Sequence, residues 1–144
     1  TDPDGTPVFD CRRVELRVVV DDRGTIYVAE AADDIPFEIK RTFHVVDLSS
    51  IRSRGRHAHH TTHQAFFCIS GEIQLTTRRP RQKERSWSLR DPGIGVYLPP
   101  LTWVEFIAMR GPAVALVLAS THYDEADYIR DLTTFDSMEL DMGV

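Results

Sequence analysis

The chain has 144 residues, is 42% hydrophobic, and carries 17 Lys+Arg against 22 Asp+Glu, a formal net charge of −5. That length and apolar content suit one domain with a real core. The mild acidity, with no basic run, argues against a nucleic-acid partner, and no apolar run reaches the ~18 residues of a membrane-spanning helix, so no membrane partner is expected.

A single domain is expected over residues 1–144, with residues 1–10 a flexible lead-in rich in small and polar residues. "VELRVVV" (14–20) and "TIYVAEA" (25–31) read as two strands of a hairpin turning at Asp21–Gly24. "TFHVVDL" (42–48) is the next strand. "HAHHTTHQAFFCIS" then leads into Gly71, and "EIQLTTR" (72–78) runs out of it. The charged loop "RPRQKER" reads as a solvated hairpin tip before "SWSLR". "DPG" (91–93) is a turn, "IGVYLP" stops at Pro99-Pro100, and "TWVEFIA" and "AVALVLAS" read as strands joined by a turn at "MRGP". Many short, turn-bounded strands indicate an antiparallel barrel or sandwich. "YDEADYIRDLTTF" (123–135) has helix-compatible spacings, with Asp124 placed to cap. Cys11 and Cys68 form no CxxC pair, so no disulfide is expected. With no secretory leader legible, a reducing, cytoplasmic setting is the expectation.

The chemistry concentrates in "RGRHAHHTTHQ" (54–64), which holds His57, His59, His60 and His63. Strand alternation puts His57 and His59 on one face and His60 on the other. Imidazoles titrate near neutral pH, so such a pair serves either as metal ligands or as acid–base groups. The spacing H-x-H-x4-Q-x6-G, from His57 through Gln64 to Gly71, resembles the first motif of the cupins. In metal-binding cupins a Glu stands where Gln64 stands, and a further His of the second motif falls at Val104. Two of four ligands are thus replaced, and no metal cofactor is expected. His60 and His63 are the residues that would have to turn inward to restore one.

"IPFEIKR" (35–41), "RGRHAHH" (54–60), "ISGEI" (69–73), "GVYLPPLTW" (95–103) and "LVLASTHYDEADYIRDLTTF" (116–135) together resemble one cupin family, the WxcM-like dTDP-4-keto-6-deoxyglucose 3,4-ketoisomerases. The resemblance implies an all-β, jelly-roll-like antiparallel barrel with a short C-terminal helix, forming a homodimer that exchanges strands. It implies a dTDP-linked 4-keto-6-deoxysugar as substrate, no cofactor, and His57 and His59 as catalytic residues. Moving a ketone from C4 to C3 removes a C3 proton acidified by the neighbouring carbonyl, passes through an enediol, and returns a proton to C4. That is general acid–base work needing no external electron acceptor. Arg41 and Arg54 match arginines of the family; Arg41 suits the pyrophosphate or the enolate oxygen, and Arg54 would hold the loop or reach the phosphates. Gln64 would donate to a sugar oxygen, and Tyr97 and Trp103 would stack on the base or line the sugar pocket. The chain departs from the family where Phe43 and His44 stand in place of a tyrosine pair, and at His60 and His63. Two other classes fit the same residues: a metal-dependent cupin enzyme using an extra histidine, and a sugar-nucleotide binder without turnover.

Overall fold

A computed structural model describes residues 10–140. The expected lead-in, apart from Asp10, lies outside the described residues. In chain order the strands are β1 (Arg12–Glu15), β2 (Arg17–Asp21), β3 (Gly24–Val28), β4 (Arg41–Val45), β5 (Arg54–His59), β6 (Gln64–Arg78), β7 (Arg85–Leu89), β8 (Ile94–Leu98) and β9 (Trp103–Ala119). A 3-10 turn (Glu125–Asp127), β10 (Tyr128–Ile129) and a helix, α1 (Leu132–Asp136), complete it. The strands pair antiparallel, as the cupin expectation requires. No helix among the described residues is long and apolar enough to cross a membrane.

Two long strands organise the sheet. β6 and β9 pair from Gln64↔Ala119 to Arg78↔Trp103, and each carries shorter strands at its two ends. β8 and β7 lie on β6, while β4 and β5 lie on β9. The breaks expected at Gly71 and at "MRGP" are therefore not chain reversals. They are irregularities inside continuous strands, where the register jumps from Ser70↔Val114 to Glu72↔Arg110. Gly71 has φ +77°, and a Cβ there would stand 2.4 Å from the Arg110 carbonyl oxygen. Only glycine fits that crossing.

The predicted N-terminal strand is also divided. Residues on either side of Leu16 serve different partners: β1 pairs with β8, whereas β2 pairs with β3 in a separate hairpin. The turn at Asp21–Gly24 forms as expected. The tip between β6 and β7 is mostly solvated, but Arg79 is buried and donates to the Leu101 carbonyl.

Alternation along these strands sorts side chains into an inside and an outside. Phe66, Val96, Leu98, Val104, Phe106 and Val117 share one cluster, while their neighbours Ala65, Phe67, Tyr97 and Leu118 form another with Val14, Ile35 and Phe37. The segment between β3 and β4, through Ile35 and Phe37, thus covers the outer face of the sheet. Cys68 is a buried member of the inner cluster, as its apolar surroundings suggested, and both thiols are free.

The predicted helix over 123–135 does not form as one element. Asp124 does cap a turn, accepting from the Ala126 N–H, but that turn is a single 3-10 turn. Tyr128 and Ile129 then pair with His59 and Ala58 as strand. The chain re-enters helix only at Asp131, whose carboxylate accepts from the Thr134 N–H. A five-residue helix has no stability of its own. It is held by Phe135, fully buried among Ala58, Trp103 and Ile129, and by the paired hydrogen bonds from Arg78 to Asp136.

Candidate active site

β5 delivers the histidines. It twists at Arg56, which has φ +59° and marks a bulge between Gly55 and His57. His57 then sits opposite Val104 on β9, and His57 and His59 point the same way. Their rings meet edge to face with centroids 5.2 Å apart. The ring of Tyr128 packs against both, 5.0 Å from His57 and 4.4 Å from His59.

The partners of each ring fix its tautomer. His57 Nδ1 lies 2.9 Å from the Gly55 carbonyl oxygen, which can only accept, so Nδ1 carries the proton and Nε2 the lone pair. His59 Nδ1 lies 3.0 Å from Asp127 Oδ2. Here too Nδ1–H donates, and Nε2 is left as a buried acceptor with no hydrogen-bond partner. Thr61 contributes its N–H and hydroxyl to Asp127 Oδ1, and Thr62 its hydroxyl to Oδ2.

Burial lowers the pKa of His57, against the opposing Gly55 contact. His59 is pushed down to about 4, first by burial and then by His57, with Asp127 working in the other direction. The His59–Asp127 contact is therefore a hydrogen bond from neutral imidazole to carboxylate near neutral pH. Burial raises the Asp127 pKa, but the hydrogen bonds of Thr62, Thr61 and His59 outweigh it and keep the group ionised.

His57 opens onto a cavity of about 260 Å³. Phe43, Phe66, Leu98, Val104 and Phe106 make its walls apolar, and His57, Gln64, Arg54, Tyr128 and Arg130 supply polar groups. The donor set does not suit a transition metal. Val104 faces His57 across the ladder, and Gln64 stands where a carboxylate would ligate. His60 is exposed, and His63 turns to the outer face, where its Nδ1 lies 2.7 Å from the Tyr97 hydroxyl. Neither joins the pair, and among the described residues no group of three or more His, Cys, Asp or Glu is placed to hold a metal.

The other expected site residues divide. Gln64 and Arg54 line the cavity. Arg41 does not line it; its guanidinium lies near the rings of Phe43 and Tyr123, its Nε buried without a hydrogen-bond partner. Its charge is felt at His59. Tyr97 and Trp103 are not brought to the cavity. Tyr97 falls on the outer face between inward-facing Val96 and Leu98. Trp103, one residue before inward-facing Val104, packs on Phe135 at 5.6 Å between ring centroids. His44 is exposed and does not replace a pocket hydroxyl, whereas Phe43 faces inward.

Sequence reasoning missed Asp127, Tyr128 and Arg130. All three stand in "YDEADYIR", whose spacing predicts helix. The sequence holds one apolar residue, Ile129, between Tyr128 and Arg130, too short an alternation to mark a strand before its pairing with β5 is seen.

One family and two known proteins, one of them in two structures, are similar to this chain. The family described as FdtA, WxcM-like, C-terminal matches residues 9–139. A TDP-4-oxo-6-deoxy-alpha-D-glucose-3,4-oxoisomerase of Aneurinibacillus thermoaerophilus is 32% identical over 122 residues, 85% of this chain and 87% of that protein. The crystal structure of QdtA, a sugar 3,4-ketoisomerase of Thermoanaerobacterium thermosaccharolyticum in complex with TDP, aligns with TM-score 0.85 and 32% identity, over 90% of this chain and 94% of that one. A histidine-to-asparagine variant of QdtA, in complex with TDP-4-keto-6-deoxyglucose, aligns with the same score, identity and coverage.

Proposed function

Because the chain belongs to the WxcM-like C-terminal family of FdtA, we propose that it is a 3,4-ketoisomerase, moving the ketone of a TDP-linked 4-keto-6-deoxyhexose from C4 to C3 by histidine acid–base catalysis without a metal. The observation that carries the reading is a pair of neutral histidines in ring contact, His57 lining a small, mostly apolar cavity and His59 backed by the Asp127 carboxylate.

His59 takes the C3 proton at Nε2. A buried acceptor without a partner is rare in folded proteins, and Asp127 stabilises the imidazolium that forms. The C3–H electron pair becomes the C3=C4 bond, and the C4 oxygen becomes an enediolate. The O3 proton passes to O4, the C3 ketone forms, and C4 takes a proton from solvent by way of His57 Nε2 while His59 releases the C3 proton to solvent, so both imidazoles end neutral. Arg41 offsets the negative charge of the enediolate, and Gln64 orients a sugar hydroxyl. No electrons leave the sugar, so the balance closes without an oxidant.

The cavity volume supports the substrate class. Sites for drug-sized ligands start near ~300 Å³, so about 260 Å³ suits a hexose and leaves the nucleoside outside. Arg54 and Arg130, exposed at the rim, suit the pyrophosphate. The active form is a homodimer of single-domain cupin subunits that exchange the β2–β3 hairpin, and buried thiols suit a cytoplasmic setting.

The test is direct. Metal-depleted protein is incubated with TDP-4-keto-6-deoxyglucose and a 3-aminotransferase, and the product sugar is identified. A 3-amino sugar is expected. No turnover until one divalent cation is added would favour the metal-dependent class, and no turnover under any condition the binding class.

A further inference from the structure

Asp127 Oδ2 accepts from two groups at once. One is His59 Nδ1 at 3.0 Å, and the other is the Thr62 hydroxyl at 2.5 Å. Thr62 is buried, and its oxygen also lies 2.7 Å from Thr121 Oγ1. A carboxylate only accepts, so the one hydroxyl hydrogen of Thr62 is committed to Asp127. Thr121 must then be the donor to Thr62. The result is an ordered chain, Thr121 to Thr62 to Asp127, that meets His59 at a shared oxygen. It ends at a cleft on the outside of the protein, lined by Thr121, His122 and Asp127.

We propose that Thr62 is a positioning residue for the acid–base pair, holding Asp127 toward His59 while competing with His59 for the same oxygen, with Thr121 ordering its hydroxyl from behind. The competition has a direction. Each donor on Oδ2 draws off part of its negative charge, whichever group supplies it. With Thr62 in place, Asp127 still aligns the imidazole but stabilises the imidazolium less than an unshared carboxylate would. His59 therefore stays neutral with its lone pair at Nε2, the form a base needs before the sugar arrives.

The charged and titratable groups around His59 are few. His57 on its own strand and Arg41 on β4 disfavour its cation, and Asp127 favours it. Tyr128 packs on the ring. Thr62 works through Asp127 alone.

This inference rests on the proposed acid–base role, but its test does not need turnover. His59 is titrated by NMR of its ring carbons and nitrogens in wild type, Thr62→Val, Thr62→Ser and Thr121→Val. Removing the Thr62 hydroxyl should raise the His59 pKa by roughly half to one pH unit, because the loss of a charge-assisted bond leaves more charge on Oδ2. Thr121→Val should shift it the same way by less, and Thr62→Ser should match wild type. The acid limb of kcat should move with the titration. An unmoved or lowered His59 pKa in Thr62→Val overturns the proposal, as does an equal shift in Thr62→Ser. Should Thr62→Val fail to fold, half-exposed Thr121 carries the test, and an unmoved titration in Thr121→Val overturns it. Failure of isomerisation in the wild type would remove the functional reading and leave this measurement intact.

Discussion

Asp127 Oδ2 stands 3.0 Å from His59 Nδ1, although 68 residues separate them in the chain. The carboxylate is filled on both oxygens by donors only: Thr61 N–H and hydroxyl, Thr62 hydroxyl and the imidazole N–H. Asp127→Asn puts an NH2 among them. Turned to His59, it would force the tautomer with Nε2 protonated and the base blocked; turned to Thr61, it would face another donor. We expect kcat to fall on the order of 10²–10⁴ with KM little changed, the scale of a lost acid–base group. Steady-state kinetics on folded Asp127→Asn checks this, and wild-type kcat would remove Asp127 from the mechanism.

Burial lowers the pKa of both His57 and His59, that of His59 to about 4. The neutral base should therefore persist below the ordinary imidazole value of about 6.5. The acid limb of kcat/KM is expected below pH 6.5, with no fall between pH 8 and 6.5. Stability should follow the same sign. Between the unfolded value near 6.5 and the depressed folded value, the unfolded chain binds more protons, so stability is full above that window and declines as pH falls through it. Thermal unfolding from pH 7 to pH 4 should show a falling midpoint, with a smaller fall in His59→Asn.

The sequence carried the parts of this site that obey a local period. His57 and His59 share a face because strands alternate, and Gln64 and Val104 reach the cavity for the same reason. What stayed hidden depends on long-range pairing. Asp127 reads as a solvent-facing helical residue until Tyr128 pairs with His59. Tyr97 and Trp103 looked like pocket aromatics because composition does not say which side of a strand is the inside. Their neighbours Leu98 and Val104 hold the inward positions. The hinge at Leu16 and the continuity of β6 and β9 were equally illegible. A glycine inside a strand and a glycine between strands look alike in one dimension.

Gly71 should tolerate no side chain. Its φ of +77° disfavours every L-residue, and a Cβ would stand 2.4 Å from the Arg110 oxygen and 2.6 Å from that of Pro112. Neither oxygen is on a flexible side chain. Gly71→Ala is expected to cost about 2–4 kcal/mol, combining left-handed strain with overpacking. Denaturant unfolding measures it, and a change under ~0.5 kcal/mol would show that the two long strands can separate there.

The β2–β3 hairpin pairs with no other strand among the described residues. Its Val19–Ile26 cross-strand pair is 43% and 58% exposed, and Val20 is 70% exposed. Such a hairpin is marginal alone, and an apolar strand pair of this kind asks for cover. A second copy of the chain is the proposed cover. Sedimentation or light scattering at micromolar concentration should give a dimer for the wild type and a monomer for Val19→Lys combined with Ile26→Lys. A monomeric wild type would end the exchange model.

The roles of the two histidines separate by isotope exchange. His57→Asn and His59→Asn should both fold, because asparagine is smaller, polar, and able to keep one hydrogen bond. Each should lose on the order of 10²–10⁴ in rate, since asparagine exchanges no proton near neutral pH. They should fail differently. In D2O, with a TDP-4-keto-6-deoxy sugar, the His59 variant should leave the C3 hydrogen in place, because the base that removes it is gone. The His57 variant should exchange C3 slowly while forming little 3-keto product, because proton delivery to C4 is impaired. Exposed His60, replaced by asparagine, should change neither outcome. The reverse pattern, with exchange surviving only in the His59 variant, would make cavity-lining His57 the C3 base and Asp127 the partner of the C4 acid. Near-normal turnover in both variants would move the chemistry away from β5 altogether, and Tyr128, whose ring lies against both imidazoles, would be the next group to replace.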